Sequence, residues 1–271
     1  IMLWTTWIFA YIAIGLCAGF LAGLFVIGGG ALMVPLLAMA FGAHGLASEH
    51  VLHLALGTSM ATIIFTSVSS ARAHDRHGAV EWPVVFRIVP GILLGAMVGT
   101  VLAARVSSRS LAVFFALFLL YVAAQMVVNI RPKPARQLPG TIGMVSVGTL
   151  IGALSALVAI GGGTLTVPFL TWCNVRVQTA IGTSAAVGIP IAIGGSIGYV
   201  WNGLHATNLP PYSIGFIYLP ALVFVMSASM LMAPVGARLA HRLPVNQLKR
   251  YFALLLVMLA AKMLQGLFFP L

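Results

Sequence analysis

Acidic side chains are almost absent from this chain. Its 271 residues hold three of them, Glu49, Asp75 and Glu81, against 14 Lys and Arg, for a net charge of +11. None of the three lies in the middle of an apolar run, which argues against an acidic proton relay or a carboxylate cage for sodium. Cysteine is scarce too. Cys17 and Cys173 both fall inside apolar segments and offer neither a disulfide framework nor metal-ligand spacing. No metal and no cofactor is expected. There is no phosphate-binding GxxxxGK[ST] loop, no HExxH helix and no hydrolase signature. Ser and His occur within apolar runs without a carboxylate beside them, so an intramembrane serine protease is a weak alternative and the chain reads as a non-enzyme.

What the chain has in quantity is apolar surface. It is 61% hydrophobic and 6% charged, with a mean hydropathy of +1.10. Hydrophobic runs fill the whole length, and a cleaved signal peptide would account for the first alone. A β-barrel would show short alternating segments instead. The expected class is an all-α polytopic membrane protein, multi-pass in the cell inner membrane and surrounded by lipid. In a soluble protein the positive charge would suggest nucleic acid. Here the basic residues sit between apolar runs, where they orient helices, and no nucleic-acid partner is expected.

The apolar runs cover approximately 3–27, 31–43, 51–71, 83–104 and 109–130, then 141–160, 164–175, 178–200, 214–236 and 248–270. That is five and five, with a short second member in each set. A full helical span needs about 20 apolar residues, so the short members are half-helices, re-entrant pieces or strongly tilted spans. A sequence repeat underlies the pattern. Ile27-Gly28-Gly29-Gly30-Ala31-Leu32-Met33-Val34-Pro35 returns as Ile160-Gly161-Gly162-Gly163-Thr164-Leu165-Thr166-Val167-Pro168, 133 residues later counted from Gly28 to Gly161. Ala55-Leu56-Gly57-Thr58-Ser59 matches Ala180-Ile181-Gly182-Thr183-Ser184, and Leu111 to Met126 aligns with Leu248 to Met263. Three matched blocks in one order indicate duplication. The expected organisation is a first repeat over 1–130, a polar, proline-bearing cytoplasmic linker over 131–140 and a second repeat over 141–271.

Charge placement bears on orientation. With five crossings per half and the N-terminus outside, the cytoplasmic side holds Arg72, Arg76, Arg131, Lys133, Arg136, Arg176, Arg238, Arg242, Lys249 and Arg250. The outer side keeps only Arg105 and Arg109, a clear positive-inside bias. An odd number of crossings per half makes the repeats inverted, which is the preferred reading. Four crossings per half, with each short segment re-entering its own side, would make them parallel. Trp4, Trp7 and Glu81-Trp82-Pro83 have the composition of membrane-interface anchors.

Four groups of residues are candidates for function. Gly28, Gly29 and Gly30, and Gly161, Gly162 and Gly163, let the backbone leave the helical path. The helices that follow, from Ala31 and Thr164, aim free N–H groups and positive dipole ends at the breaks, which suits a small anion. Small-residue helix packing is the competing role. Thr58, Ser59, Thr183 and Ser184 form the second group. Their hydroxyls would donate to anion oxygens, or bond back to their own helices. Lys262, with repeat partner Gln125, is the third. It attracts an anion, changes protonation during transport, or snorkels to the outer surface. His53 is the best-placed histidine for proton coupling, a task Lys262 would share.

At these residues the chain resembles the TauE/SafE family of sulfite exporters and related permeases. The resemblance rests on the two GGG motifs, the Gly-Thr-Ser pairs and the matched final helices, and spans nearly the whole chain. It implies two homologous halves and transport of small anions, often sulfite, thiosulfate or organosulfonates such as sulfoacetate. The expected function is therefore a secondary transporter of such anions working by alternating access. An intramembrane enzyme and a non-transporting receptor or scaffold are the alternatives. Direction of transport and oligomeric state stay open at this level.

Overall fold

The computed structural model describes residues 2–24, 30–46, 49–128, 136–240 and 245–268. Ten helices occur in these segments: α1 (Met2–Leu24), α2 (Gly30–Ala43), α3 (Val51–Asp75), α4 (Trp82–Arg105), α5 (Ser108–Val128), α6 (Thr141–Leu157), α7 (Gly163–Trp172), α8 (Val177–Gly203), α9 (Leu219–Ala240) and α10 (Val245–Phe268). The chain is an all-α polytopic membrane protein, as its apolar runs require: in lipid a helix satisfies every backbone group internally. Among the described residues, five helices are long and apolar enough to cross a membrane: α3, α4, α5, α8 and residues Leu219–Gly236 of α9. The ninth apolar run becomes helical only at Leu219. Just before it, Ser213–Ile214 and Ile217–Tyr218 pair as a small antiparallel hairpin, β1 and β2. Gly215, at φ 54°, turns it.

The short helices do not carry the chain across. α2 ends beside the start of α1, where the His44 ring stacks on Trp7 at 4.3 Å and its Nδ1 lies 3.3 Å from the Tyr11 hydroxyl. α7 ends beside the approach to α6. There the Arg136 N–H donates to the Trp172 carbonyl at 3.3 Å, and the guanidinium lies 5.1 Å from the Trp172 ring. Each short helix is thus the return arm of a hairpin. At 10 residues α7 rises about 15 Å, half of a ~30 Å hydrocarbon core. The five crossings per half assumed in counting charges do not match this packing: α2 and α7 fold back along their predecessors, and the longer helices are left to run through. Of these, α3, α4, α5, α8 and Leu219–Gly236 of α9 are long and apolar enough to cross a membrane.

Packing obeys one exchange rule. α1 packs on α9 as α6 packs on α4; α2 packs on α3 as α7 does on α8; α9 meets α3 as α4 meets α8; α3 pairs with α8 and α5 with α10. Where α1 meets α9 and α6 meets α4, the rule holds residue by residue. A Cβ on Gly15 would meet the Val225 carbonyl, and one on Gly148 the Ile88 carbonyl at 2.6 Å. One turn on, Gly19 abuts the Ser229 carbonyl as Gly152 abuts that of Ile92. These approaches leave no room for a methyl group, and Gly at i and i+4 is how membrane helices reach such contact.

The bundle has two chemically different ends. One gathers Arg72, Arg76, Arg136 and Arg176 around the ends of α3 and α7 and the starts of α4, α6 and α8. We call it the basic end. The far end holds His44, Glu49, His53, Arg105 and Arg109, where α2 and α4 finish and α3 and α5 begin.

Candidate functional site

The second glycine break is a buried gap between two helices. α6 finishes at Leu157, and Val158, Ala159, Ile160, Gly161 and Gly162 are all buried before α7 starts at Gly163. Ala159 takes φ 44°, in the left-handed region that turns the chain back. The last carbonyls of α6 are used: Leu154 accepts from the Val158 N–H at 3.2 Å and Ser155 from Ile160 at 3.1 Å. At the other side Gly162 accepts from the Thr166 N–H at 2.9 Å, and no side chain caps the start of α7. An uncapped first turn keeps its positive dipole end directed into the gap. A Cβ on Gly162 would lie 2.9 Å from the Ser184 carbonyl, so this turn rests on α8.

The first break reaches the same place. Gly28 and Gly29 lie outside the described residues, but Gly30 opens α2, and a Cβ there would run into the Ala159 carbonyl and approach Ile63 Cδ1 at 2.9 Å. Ile63 is the central residue of α3. Gly30, buried Ala31, Gly161, Gly162, Gly163 and Thr164 are therefore brought to one region inside the bundle, beside the middle of α3 and the first half of α8. A Cβ on Gly188 of α8 would be 2.8 Å from Ser67 Oγ of α3 and 3.6 Å from the Gly162 nitrogen. Ser67 is thus a neighbour of the break that its sequence did not reveal.

The hydroxyl candidates divide. Thr58 Oγ1 accepts the Tyr218 N–H at 3.1 Å, and Thr183 Oγ1 accepts the Glu81 N–H at 3.0 Å. The glycines before them abut the Phe216 and Ala79 carbonyls. Each Gly-Thr pair therefore clamps the segment that enters α9 or α4, by the same exchange that governs the helices. Ser184 Oγ donates to the Ile181 carbonyl of its own helix at 2.8 Å. Ser59, fully buried, has no hydrogen-bond partner for its hydroxyl. The same holds for Ser155 at the end of α6 and Thr166 in the first turn of α7. A buried orphan hydroxyl carries an uncompensated desolvation cost, and polar ligands relieve it. The signal for Thr166 was in the motif: it replaces Met33 of the first copy.

Gln125 and Lys262 are not brought to the breaks. Lys262 is exposed on α10, whose Leu256, Ala260 and Met263 face inward, and Gln125 is half-buried on α5. α5 and α10 form a pair that meets the bundle mainly through α3 and α2.

His53 stands at the far end, buried, where three helices meet. Its Nε2 lies 2.9 Å from the Ala103 carbonyl and its Nδ1 3.1 Å from Ser108 Oγ, while Ser108 donates to the Glu49 carbonyl at 2.6 Å. Nε2–H must donate to a carbonyl. A neutral ring then leaves Nδ1 a lone pair, and the single Ser108 proton must choose between Nδ1 and Glu49. An imidazolium donates on both sides and satisfies every oxygen. The ring also faces Phe216 at 5.1 Å and His50 at 5.8 Å.

A bundle built on these breaks has recognisable relatives. The family model described as sulfite exporter TauE/SafE matches residues 11–263. A probable membrane transporter protein of Haemophilus influenzae is 36% identical over 95% of this chain and 98% of its own. Similar proteins, also named probable membrane transporters, occur in Bacillus subtilis (YdhB, 28% identical over 85% of this chain and 89% of its own) and Methanocaldococcus jannaschii (25%, over 88% of each). No solved structure matches the chain. The chain is a multi-pass membrane transporter and belongs to the TauE/SafE sulfite exporter family.

Proposed function

We propose that the protein is a secondary transporter of small sulfur-containing anions, such as sulfite, thiosulfate or an organosulfonate, in the cell inner membrane. It works by alternating access between two inverted repeats, 1–130 and 141–271. The observation that carries this reading is the meeting of the breaks: Gly30 of one hairpin against Ala159 of the other, deep in the bundle. The hairpins enter from opposite ends, so two helix starts converge on one point, each with its positive end inward. The shortage of acidic groups leaves that point without a carboxylate competitor for the anion. The substrate's sulfur is carried by the family alone.

Orientation follows from the arginines. The basic end is cytoplasmic and the far end external. The anion sits at Gly30, Ala31, Gly161, Gly162, Gly163 and Thr164, with Ser59 supplying a hydroxyl. His53 takes up the coupling proton from outside: the charged ring donates to Ala103 and to Ser108 while Ser108 keeps its bond to Glu49.

The test is uptake into proteoliposomes of labelled sulfite, thiosulfate and sulfoacetate, with and without a pH gradient. We expect saturable, protein-dependent uptake of at least one. Intact protein that moves none of them refutes the reading. His53→Gln separates the proton role: gradient-driven uptake falls while anion exchange at equal pH persists. Undiminished gradient dependence in that variant removes His53 from coupling.

A further inference from the structure

The exchange rule that pairs the helices fails at one interface, and the failure is directional. Counting on from the matched Gly57 and Gly182, Ser69 of α3 corresponds to Gly194 of α8, and Ala73 to Gly198. Counting on from the matched Ser229 and Ile92, Met230 of α9 corresponds to Leu93 of α4. Where α8 meets α4, toward the far end, the contact is closed. A Cβ on Gly194 would lie 3.1 Å from Ala96 Cβ and 3.3 Å from Leu93 Cδ2, and one on Gly198 would strike the Thr100 hydroxyl. Gly194, Gly198, Ala96 and Thr100 are all buried.

The counterpart contact of α3 with α9 is open. Ser69, Ala73 and Met230 line a cleft of about 530 Å³. Ala73 is exposed and Ser69 half-buried, whereas their counterparts Gly198 and Gly194 are buried. The cleft starts at Ile64, next to the Ile63 that abuts Gly30, and runs to Arg72 and Arg76 at the basic end. Among the described residues neither arginine is paired with an acidic side chain. Asp75, between them, accepts the Trp82 indole N–H at 2.8 Å.

We infer that this cleft is the cytoplasmic passage of the substrate, standing open, and that the Gly194–Gly198 contact of α8 with Leu93, Ala96 and Thr100 of α4 is the closed external gate. The inference rests on the proposed transport function and names its gates. Two interfaces related by sequence and unequal in closure are what an alternating-access protein presents in one of its two end states. In the other state Ser69 and Ala73 close on α9 while Gly194 and Gly198 leave α4. Arg72 and Arg76 supply the mouth with positive charge that draws small anions and turns away cations. Above them Ser69 is the one polar residue in an otherwise apolar lining, so an anion is not trapped on its way.

The test uses a cysteine-free background, Cys17→Ser with Cys173→Ser. In it, Ala73→Cys is treated with a membrane-impermeant maleimide in inside-out vesicles, and Ser69→Cys with Met230→Cys is oxidised by copper-phenanthroline. In the closed counterpart, a Cβ on Gly194 lies 3.8 Å from Leu93 Cα, so the cysteine pair comes within disulfide reach when the inner gate shuts. We expect Ala73→Cys to be labelled from the cytoplasmic side only. We expect the pair to cross-link, with uptake lost on oxidation and recovered on reduction. An unlabelled Ala73→Cys in folded protein overturns the gate, and so does full cross-linking that leaves uptake unchanged. If the double variant does not fold, labelling of the single variant decides. Labelling and cross-linking without transport of any sulfur anion would refute the substrate reading and leave the gate standing. Transport with neither would do the reverse.

Discussion

Replacing Thr58 with valine separates two roles for the Gly-Thr-Ser motif. Valine keeps the shape of threonine and removes the oxygen. In the fold that oxygen accepts the Tyr218 N–H at 3.1 Å in a buried bond, at the entry of α9. Tyr218 is 1% exposed, so water cannot replace the acceptor. A buried N–H left without a partner costs about 1–3 kcal/mol. At about 1.4 kcal/mol per factor of ten, that lowers the folded-to-unfolded ratio roughly 5- to 150-fold. Thr183→Val removes the equivalent bond to the Glu81 N–H, 3.0 Å long but only partly buried. Water reaches Glu81, so the loss there is smaller, at or below the ~1 kcal/mol of an ordinary hydrogen bond. The assay is reversible unfolding in mixed micelles of increasing denaturing detergent, without substrate. Thr58→Val unfolds earliest, Thr183→Val next, and Thr58→Ser stays near the parent. If both valine variants keep parental stability and lose anion affinity instead, the clamp is wrong and the hydroxyls act on the substrate.

Four further outcomes follow from the packing and the far-end cluster. Gly152→Ala drives a methyl group into the Ile92 carbonyl and costs about 1–3 kcal/mol by overpacking. Gly42→Ala, with nothing within 4 Å of the added carbon, is neutral or stabilising by up to about 1 kcal/mol in the same unfolding assay. Lys262→Ala leaves anion affinity unchanged in proteoliposomes, because the side chain is exposed on α10; a weakened affinity would return the lysine to the site. Burial lowers the His44 pKa from its usual 6.5, so the unfolded chain binds a proton more readily than the folded one. Stability contributed by the neutral ring is therefore present above pH 6.5 and is lost as pH falls through the lower folded value. His44→Gln flattens that acid limb of the stability profile, measured from pH 8 downward at about half-unit steps.

Much of the architecture was legible in the chain. Apolar runs fixed the helices to within a few residues because lipid leaves a backbone no alternative. The one misjudged start, at 214, hides a hairpin, and a two-residue strand carries too short a pattern to read. The duplicated Gly-Gly-Gly marked the second break and the start of α2 at Gly30. The likeness in sequence also made the threonines of the Gly-Thr-Ser copies look like substrate donors. Their partners are backbone amides at Glu81 and Tyr218, far along the chain, which no local pattern announces. Lys262 looked costly inside a span because a sequence counts depth along a helix and not which side of it faces out.

The sequence by itself determined the membrane class, the family, the near-absence of acidic groups and the residues at which helices must break. The family follows from shared motifs, and the rest from composition and local backbone freedom. Tertiary structure decided that the short helices turn back to the face they came from, that Gly30 abuts Ala159, and that the α3–α9 cleft is open while its α8–α4 counterpart is shut. Both halves carry nearly the same pattern, so the pattern cannot say which interface closes. That depends on how whole helices pack against one another, where a few ångströms of displacement trade one set of close contacts for another.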